Sequence, residues 1–588
     1  MKNKEKSIIV RLSGYAAKQK VKLIFGLLFT VLGSGLALVS PILIGKAIDT
    51  ITVTEVQTIV DMNLIFRYAF ITGALISLSG VFTWSANILL SRMSFHIVRD
   101  IRKELFSKLL SLPLSNIDTK SRGDLMARMS AFGENLSEGI YQGVMQLSSG
   151  IITLAVTMIC MFFLNWIVAL VVIALTPVSA VVSYFLAKRN RLAFKRQSEL
   201  MGALSGTAEE YIAGNRLVHA YGRKENCMED FEGINSQLFA SGLASQFAGA
   251  MVNPISRIVN NIIYAVVAIT GSLITAAYLT GSGTVVMTIG ALSAFLSYAT
   301  QFAKPFNEIT SVTAELQTAT AAGRKIFEII DNADEDAGGD TELSHPAGRI
   351  VFENGAFSYG DTPFIEDLSF AIEEGKKVAV VGSTGSGKTT VINLIMRFYD
   401  LTGGKCMFGG KDIETFSRKS VRKSFGMVLQ DTWLFEGTIK ENIAYGKDDA
   451  TDEEIAAAAE AAKLDGFINT LPLGYDTLIT GDAEQLSEGQ KQLITIARIF
   501  LASPDMLILD EATASVDAMT ERAVQQAFAK ILDGKTTITV AHRLSTIKNY
   551  DLILVMNKGK IIQRGTHEEL IKEGGYYLEM VEAAGMSK

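Results

Sequence analysis

Charged residues disappear from the first half of this chain for stretches as long as a membrane is thick. Residues 23–45 and 68–91 carry no charged side chain. Each is long enough for one span, because a bilayer core of about 30 Å takes roughly 20 apolar residues of helix. Residues 140–187 and 258–303 are uncharged over twice that length, so each is read as a pair of helices joined by a tight turn. Asn165-Trp166 supplies the first turn and Gly281-Ser282-Gly283 the second. The pattern predicts an all-α membrane domain over residues 1–315 with six spans, at about 21–46, 65–91, 138–164, 166–188, 247–279 and 284–305. The first apolar run is expected to remain as a span, since it is long for a cleaved leader and lacks an obvious cleavage site.

Lys and Arg near span ends are retained on the cytoplasmic side. Lys18, Lys20 and Lys22 precede the first span, whereas residues 47–66 and the two tight turns hold no Lys or Arg. Segments 92–139 and 188–232 are rich in both, with Arg92, Arg99, Arg102, Lys103, Lys188, Arg189 and Arg191 among them. A multi-pass protein of the cell membrane with both termini cytoplasmic is the expected result. Residues 92–113 have apolar positions at helical spacing, so the membrane helices are expected to run on into the cytoplasm. The tips near residues 116–128 and 221–233 either touch a cytoplasmic domain or are solvated hairpins. Within the spans, Asn87, Gln142, Gln146, Asn260, Asn261 and Gln301, with Arg257 at a span start, either line a cavity or bond between helices.

Composition changes after Glu308. A helical stretch to about Ile330 gives way to an acidic, glycine-containing run, and residues 316–345 are taken as the linker to an α/β ATPase domain at 346–588. Across 588 residues, 55 Lys+Arg face 61 Asp+Glu, which argues against a generally basic nucleic-acid binder. With 48% hydrophobic residues and a mean hydropathy of +0.27, disorder is excluded. Cys160, Cys227 and Cys406 are too far apart for a disulfide framework or a repeated metal-ligand pattern.

Candidate chemistry begins where the strand KKVAVV runs into GSTGSGKTT. Gly382, Ser383, Thr384, Gly385, Ser386, Gly387, Lys388 and Thr389 fit G-x-x-x-x-G-K-[ST], with Thr390 and an apolar helix directly behind. Such a loop wraps phosphates in backbone N–H groups at a helix N-terminus, while Lys388 reaches the β and γ oxygens and Thr389 can ligate Mg²⁺. A second apolar strand ends in Asp510 and Glu511, where a metal-directed carboxylate and a water-directed base are needed. Two such acids can also cap a following helix. Between them, LSEGQ (Leu486, Ser487, Glu488, Gly489, Gln490) opens an amphipathic helix.

In this order, the phosphate loop, LSEGQ, LILDE and TVAHRLSTI resemble the ATP-binding cassette family, and the six preceding spans resemble its exporter branch with fused membrane and nucleotide domains. The resemblance covers essentially the whole chain. It implies that Tyr359 stacks on adenine and that Gln430 senses Mg²⁺ and the attacking water. By the same likeness Glu511 and His542 act in hydrolysis, Gln430 and Asp510 join Thr389 around the metal, and Asp517 faces an opposing cassette. It further implies ATP and Mg²⁺ as cofactors, and a second half-transporter as partner, because two cassettes sandwich two ATPs, each held by Walker motifs of one and the signature of the other.

Here the chain departs from its family's usual LSGGQ by placing Glu488 third. A carboxylate there opposes the anion that the helix N-terminus should attract. That split resembles the subunit of bacterial heterodimeric exporters that keeps intact Walker motifs, so the expected partner is non-identical, with a normal signature and a degenerate catalytic Glu. A homodimer with Glu488 turned into solvent stays open. The expected activity is ATP-driven export of amphipathic or hydrophobic molecules by alternating access. An importer on the same fold and a membrane ATPase that transports nothing are the rival readings.

Overall fold

The computed structural model describes residues 8–53, 58–280, 287–343, 349–360, 362–429, 432–481, 483, 485–510, 518–541 and 544–583. The chain divides into two compact units, Met1–Leu110 with Ser121–Asn332, and Ser111–Lys120 with Ala333–Lys588.

The first unit is helical. Among the described residues, Lys20–Asp49, Met62–Ser111, Arg122–Leu164 and Arg257–Leu279 are long and apolar enough to cross a membrane, and Trp166–Val178 is a shorter apolar stretch. Several helices far exceed a bilayer. Met62–Ser111 has 50 residues and Lys224–Leu279 has 56. At 1.5 Å per residue these are about 75 and 84 Å long, so their charged ends extend well beyond a hydrocarbon core. Helix Ile289–Ile330 runs unbroken through the first half of the segment read as linker. Its tail is amphipathic, with Ala319, Ala322, Ile326, Phe327 and Ile329 buried.

Asn165 makes the turn between Ala131–Leu164 and Trp166–Ala213. Its side chain accepts from Ile167 N (3.0 Å) and Val168 N (3.2 Å), which satisfies donors that a helix start leaves bare. The Gly281-Ser282-Gly283 turn lies outside the described residues. Three of the polar residues named in the spans bond along or between helices, while the buried Asn260 Oδ1 has no partner among the described residues. Gln142 Nε2 donates to Glu138, Gln146 Nε2 to Gln142, and Tyr141 Oη to Asn87.

The first membrane helix is broken. Lys20–Ala37 gives way to Ser40–Asp49 because Pro41 has no N–H for the Ala37 carbonyl four residues back. Ser40 Oγ donates to that carbonyl instead, at 2.7 Å. The fully buried Tyr298 donates to Leu38 O at 2.5 Å. Beyond the break, Ser40–Asp49 lies against Ile289–Ile330 so closely that a Cβ on Gly290 would sit 1.9 Å from Gly45 O. Asp49 accepts from Gly290 N (2.8 Å) and Thr288 Oγ1 (2.7 Å), capping that helix start with a negative charge. Gly290→Val is therefore expected to push these helices apart and to lower the melting temperature of the detergent-purified chain by several degrees, measured by fluorescence-detected size exclusion after heating.

The second unit is built on a six-stranded sheet ordered Lys560–Gly565, Leu552–Asn557, Lys377–Gly382, Thr536–Val540, Met506–Asp510, Phe425–Val428. All neighbours pair in parallel except the edge pair Leu552–Asn557 with Lys560–Gly565. The inner strands are near-continuous buried apolar runs, the mark of a parallel sheet covered on both faces. A four-stranded antiparallel sheet packs with the phosphate-loop helix around Phe352, Phe370, Val391, Ile395 and Phe408. A separate cluster of Ile439, Ile455, Leu464, Leu493 and Ile496 holds the helix Glu488–Ala502. Residues 111–120, which include the start of the first predicted tip, belong with this unit: Tyr399 Oη donates to Asp118 Oδ2 at 2.8 Å. In the other tip, Tyr221 and Met228 are exposed.

Candidate nucleotide site

Parallel strands leave their C-terminal ends at one edge of the sheet, which is where ligands collect. The register pairs Asp510 with Val540, Val540 with Val380, and Gly382 with Met556. The phosphate loop, Asp510 and the chain leaving Ala541 thus start from one edge.

The loop itself needs glycine. Gly382, Gly385 and Gly387 have φ of 155°, 80° and 108°. A Cβ on Gly382 would lie 2.2 Å from Met556 O, so sheet packing as well as turn geometry excludes a side chain there. Gly387 is the N-cap of Lys388–Ile395. Lys388 is buried, and its Nζ donates to Gly382 O (3.0 Å) and Ser383 O (3.1 Å), which turns the ammonium into the loop. Ser383, Thr384 and Thr389 are exposed at the rim. The buried Ser386 Oγ has no hydrogen-bond partner among the described residues. Glycine cradle, inward ammonium, free hydroxyl and helix N-terminus fit a polyphosphate, and the exposed Thr389 hydroxyl beside them fits a ligand for its divalent cation.

Tyr359 ends the strand Ile350–Tyr359 and shares a 3.1 Å hydrogen bond with Thr390 Oγ1. Its ring stands edge-on to Phe357, Phe364 and Tyr399 at centroid distances of 4.7, 5.6 and 5.4 Å. This aromatic cage was invisible in the motifs, because Tyr399 is contributed from beyond the phosphate-loop helix. Burial first, then the Asp118 carboxylate, holds the Tyr399 phenol well above its usual pKa.

At the signature, Ser487 caps the helix Glu488–Ala502: its Oγ accepts from Gln490 N, and Gln490 Oε1 accepts from Ser487 N at 2.9 Å. Leu486 and Gly489 are buried beneath. Glu488 occupies the first turn. Its carboxylate accepts from Lys491 Nζ (2.9 Å) and Thr432 Oγ1 (3.3 Å). The Lys491 partner follows from i,i+3 spacing and was available to sequence reasoning. Gln430, Glu511, Asp517 and His542 lie outside the described residues.

Residues 23–306 match the family described as ABC transporter transmembrane region, and residues 365–514 the family described as ABC transporter. The "Fatty acid ABC transporter ATP-binding/permease protein" of Mycobacterium tuberculosis is 38% identical over 89% of this chain and 82% of its own length. This chain is an ABC exporter. The exporter is also 33% identical to the "ATP-dependent lipid A-core flippase" of Pseudomonas aeruginosa, over 88% of this chain and 85% of that protein. A solved bacterial Atm1-family ABC exporter with ATP bound superposes with a TM-score of 0.79 at 25% identity, covering 97% of this chain and 99% of that one. The exporter is accordingly a multi-pass, ATP-binding, ATP-hydrolysing translocase. It carries one membrane domain and one ATPase domain, the half-transporter arrangement of a family that works as dimers.

Replacing Tyr359 by Ala in this exporter is expected to raise the Kd for ATP roughly five- to a hundredfold, the range of one lost base stack. Tyr359→Phe, which loses only the Thr390 bond, should change it far less. Displacement of trinitrophenyl-ATP measures both.

Proposed function

We propose that this exporter is the catalytic half of a heterodimer that moves lipid-like or other amphipathic molecules outward across the cell membrane. The observation that carries the reading is Glu488 in the first turn of the signature helix. The partial positive charge of a helix N-terminus can serve one anion well. Here an acidic side chain of the chain itself already sits on it, which weakens what the helix offers the phosphate bound by a partner's Walker motifs. A partner with a normal signature completes the strong site of this chain, and the partner's own site is the weak one. Pairing of Glu488 with Lys491 favours a second reading, a homodimer, because the lysine offsets much of the carboxylate's charge.

In the proposed cycle, six spans line an amphipathic path, and both termini and the ATPase domain are cytoplasmic. The names of the fatty acid and lipid A relatives support a lipid-like substrate. Lys388 and the loop amides grip the triphosphate, and Tyr359 orients the base. Thr389, Gln430 and Asp510 are the residues that would hold Mg²⁺, which would screen the phosphate charge. Glu511 accepts the proton of the attacking water, His542 contacts the γ-phosphate, and Asp517 faces the other cassette. Closure over ATP favours one access state and hydrolysis restores the other, which requires a difference of several kcal/mol between them.

Affinity purification of the tagged chain from its native membrane is expected to bring down a second half-transporter in equal amount, one with a non-Glu residue after its Walker B aspartate. Recovery of this chain alone would overturn the heterodimer. Glu511→Gln should retain ATP and lose nearly all turnover in a phosphate-release assay, and full activity would remove Glu511 from its role.

A further inference from the structure

We infer that Glu335, acting through Arg422, is a positioning residue for ATP turnover, fastening the chain that leaves the last membrane-domain helix to the C-terminal end of the phosphate-loop helix.

The inference starts from an unusual helix end. Lys388–Ile395 is followed by Arg397 at φ 52°, a left-handed position where glycine is the usual residue. Phe398 N reaches back to Asn393 O at 2.9 Å, closing the cap. What keeps an arginine in that conformation is a pair of further arginines. Arg397 O accepts from Arg418 Nη1 (2.6 Å) and Arg422 Nη2 (2.8 Å), and Met396 O accepts from Arg422 Nε (3.2 Å). Two cations thus cover the negative end of the helix whose other end carries Lys388 and Thr389.

Arg422 faces the linker with the rest of its fork. Its Nη1 and Nη2 donate to the two carboxylate oxygens of Glu335 at 2.7 and 2.6 Å, with both side chains mostly shielded from solvent. The guanidinium also lies over the Phe398 ring, 5.0 Å from its centroid. A planar bidentate pair of this kind fixes direction as well as distance, which a lysine cannot do. Neighbouring bonds hold the same strand of linker: Arg418 Nε donates to Asp336 O and Arg418 N to Ala337 O, both at 2.9 Å. Glu335 is also the point where the first cytoplasmic segment joins. Its N–H donates to Ser111 O at 2.7 Å, and Ser111 Oγ donates to Asp334 Oδ1 at 2.5 Å.

One residue therefore links the end of helix Met62–Ser111 by its backbone, the linker by its place in the chain, and the phosphate-loop helix by its side chain. A helix of 8 residues is a stiff rod about 12 Å long. Displacement of the linker acts on one end of that rod while the phosphates are held at the other. Nucleotide affinity, set at the far end, does not depend on the pair; the rate at which the loop passes through its cycle does.

The test uses the full chain, with any co-purifying subunit, in nanodiscs of phosphatidylethanolamine and phosphatidylglycerol. Glu335→Gln and Arg422→Gln are each expected to lower kcat for ATP at least threefold, with KM changed less than twofold and the melting temperature within about 2 °C. The double variant should be no slower than Arg422→Gln alone, since Glu335 acts through Arg422 and its side chain adds nothing once that arginine is gone. Unchanged kcat in both variants, KM moving together with kcat, or additive losses would overturn the assignment. If Glu335→Gln does not fold, Glu335→Asp, which keeps the charge and shortens the reach, takes its place and should lie between wild type and Arg422→Gln. Wild-type turnover in the same discs tests the ATPase activity separately, and nothing in the outcome depends on which subunit is the partner.

Discussion

Phosphate recognition by backbone amides requires that no side chain stand between the main chain and the anion, and much of the second unit is arranged to meet that demand. Gly382 is closed in by the Met556 carbonyl on one side and must leave the strand at a φ that disfavours any Cβ. The parallel sheet makes this possible, because strands on either side of Lys377–Gly382 carry the load of the core while its end is free to turn. The aromatic cage around Tyr359 extends the same edge, and Thr390, one residue behind Thr389, ties Tyr359 to the glycine-rich loop.

The two ends of short helices matter here in opposite senses. At the signature, Glu488 stands in the first turn of its helix with its carboxylate on Lys491 and Thr432, and a negative side chain at a helix N-terminus steadies that helix. At the far end of the phosphate-loop helix, Arg418 and Arg422 cover the carbonyls, so the polarity of that helix is reinforced where it points toward the triphosphate. The heterodimer proposed above rests on that contrast between the two helix ends.

The glycine-rich turn and the capped helix start were legible because their residues are local in sequence: glycines, lysine and threonine within eight positions define the first, and Ser487 with Gln490 defines the second. Apolar length is likewise a one-dimensional property, and four of the long helices among the described residues are apolar enough to cross a membrane. What escaped reading is long-range. Asp118 and Tyr399 are 281 positions apart, and Glu335 and Arg422 are 87 apart. No period or motif couples such pairs, and the acidic linker looked loose because its partners lie elsewhere. The helical stretch read to about Ile330 is helix Ile289–Ile330, because the buried alanines and isoleucines along it keep helical spacing.

The break in the first membrane helix has a further meaning. A proline interruption in lipid is ordinarily a loose joint, because an orphaned carbonyl leaves the chain free to bend. Here Ser40 takes one carbonyl and Tyr298 another, and the segment beyond is seated glycine to glycine on the helix that supplied the tyrosine. The upper third of that first span has in effect changed allegiance: it is a splint on a distant helix, and any rocking of the membrane domain must swing it as part of that helix, leaving residues 38 and 39 as the place where the stem bends.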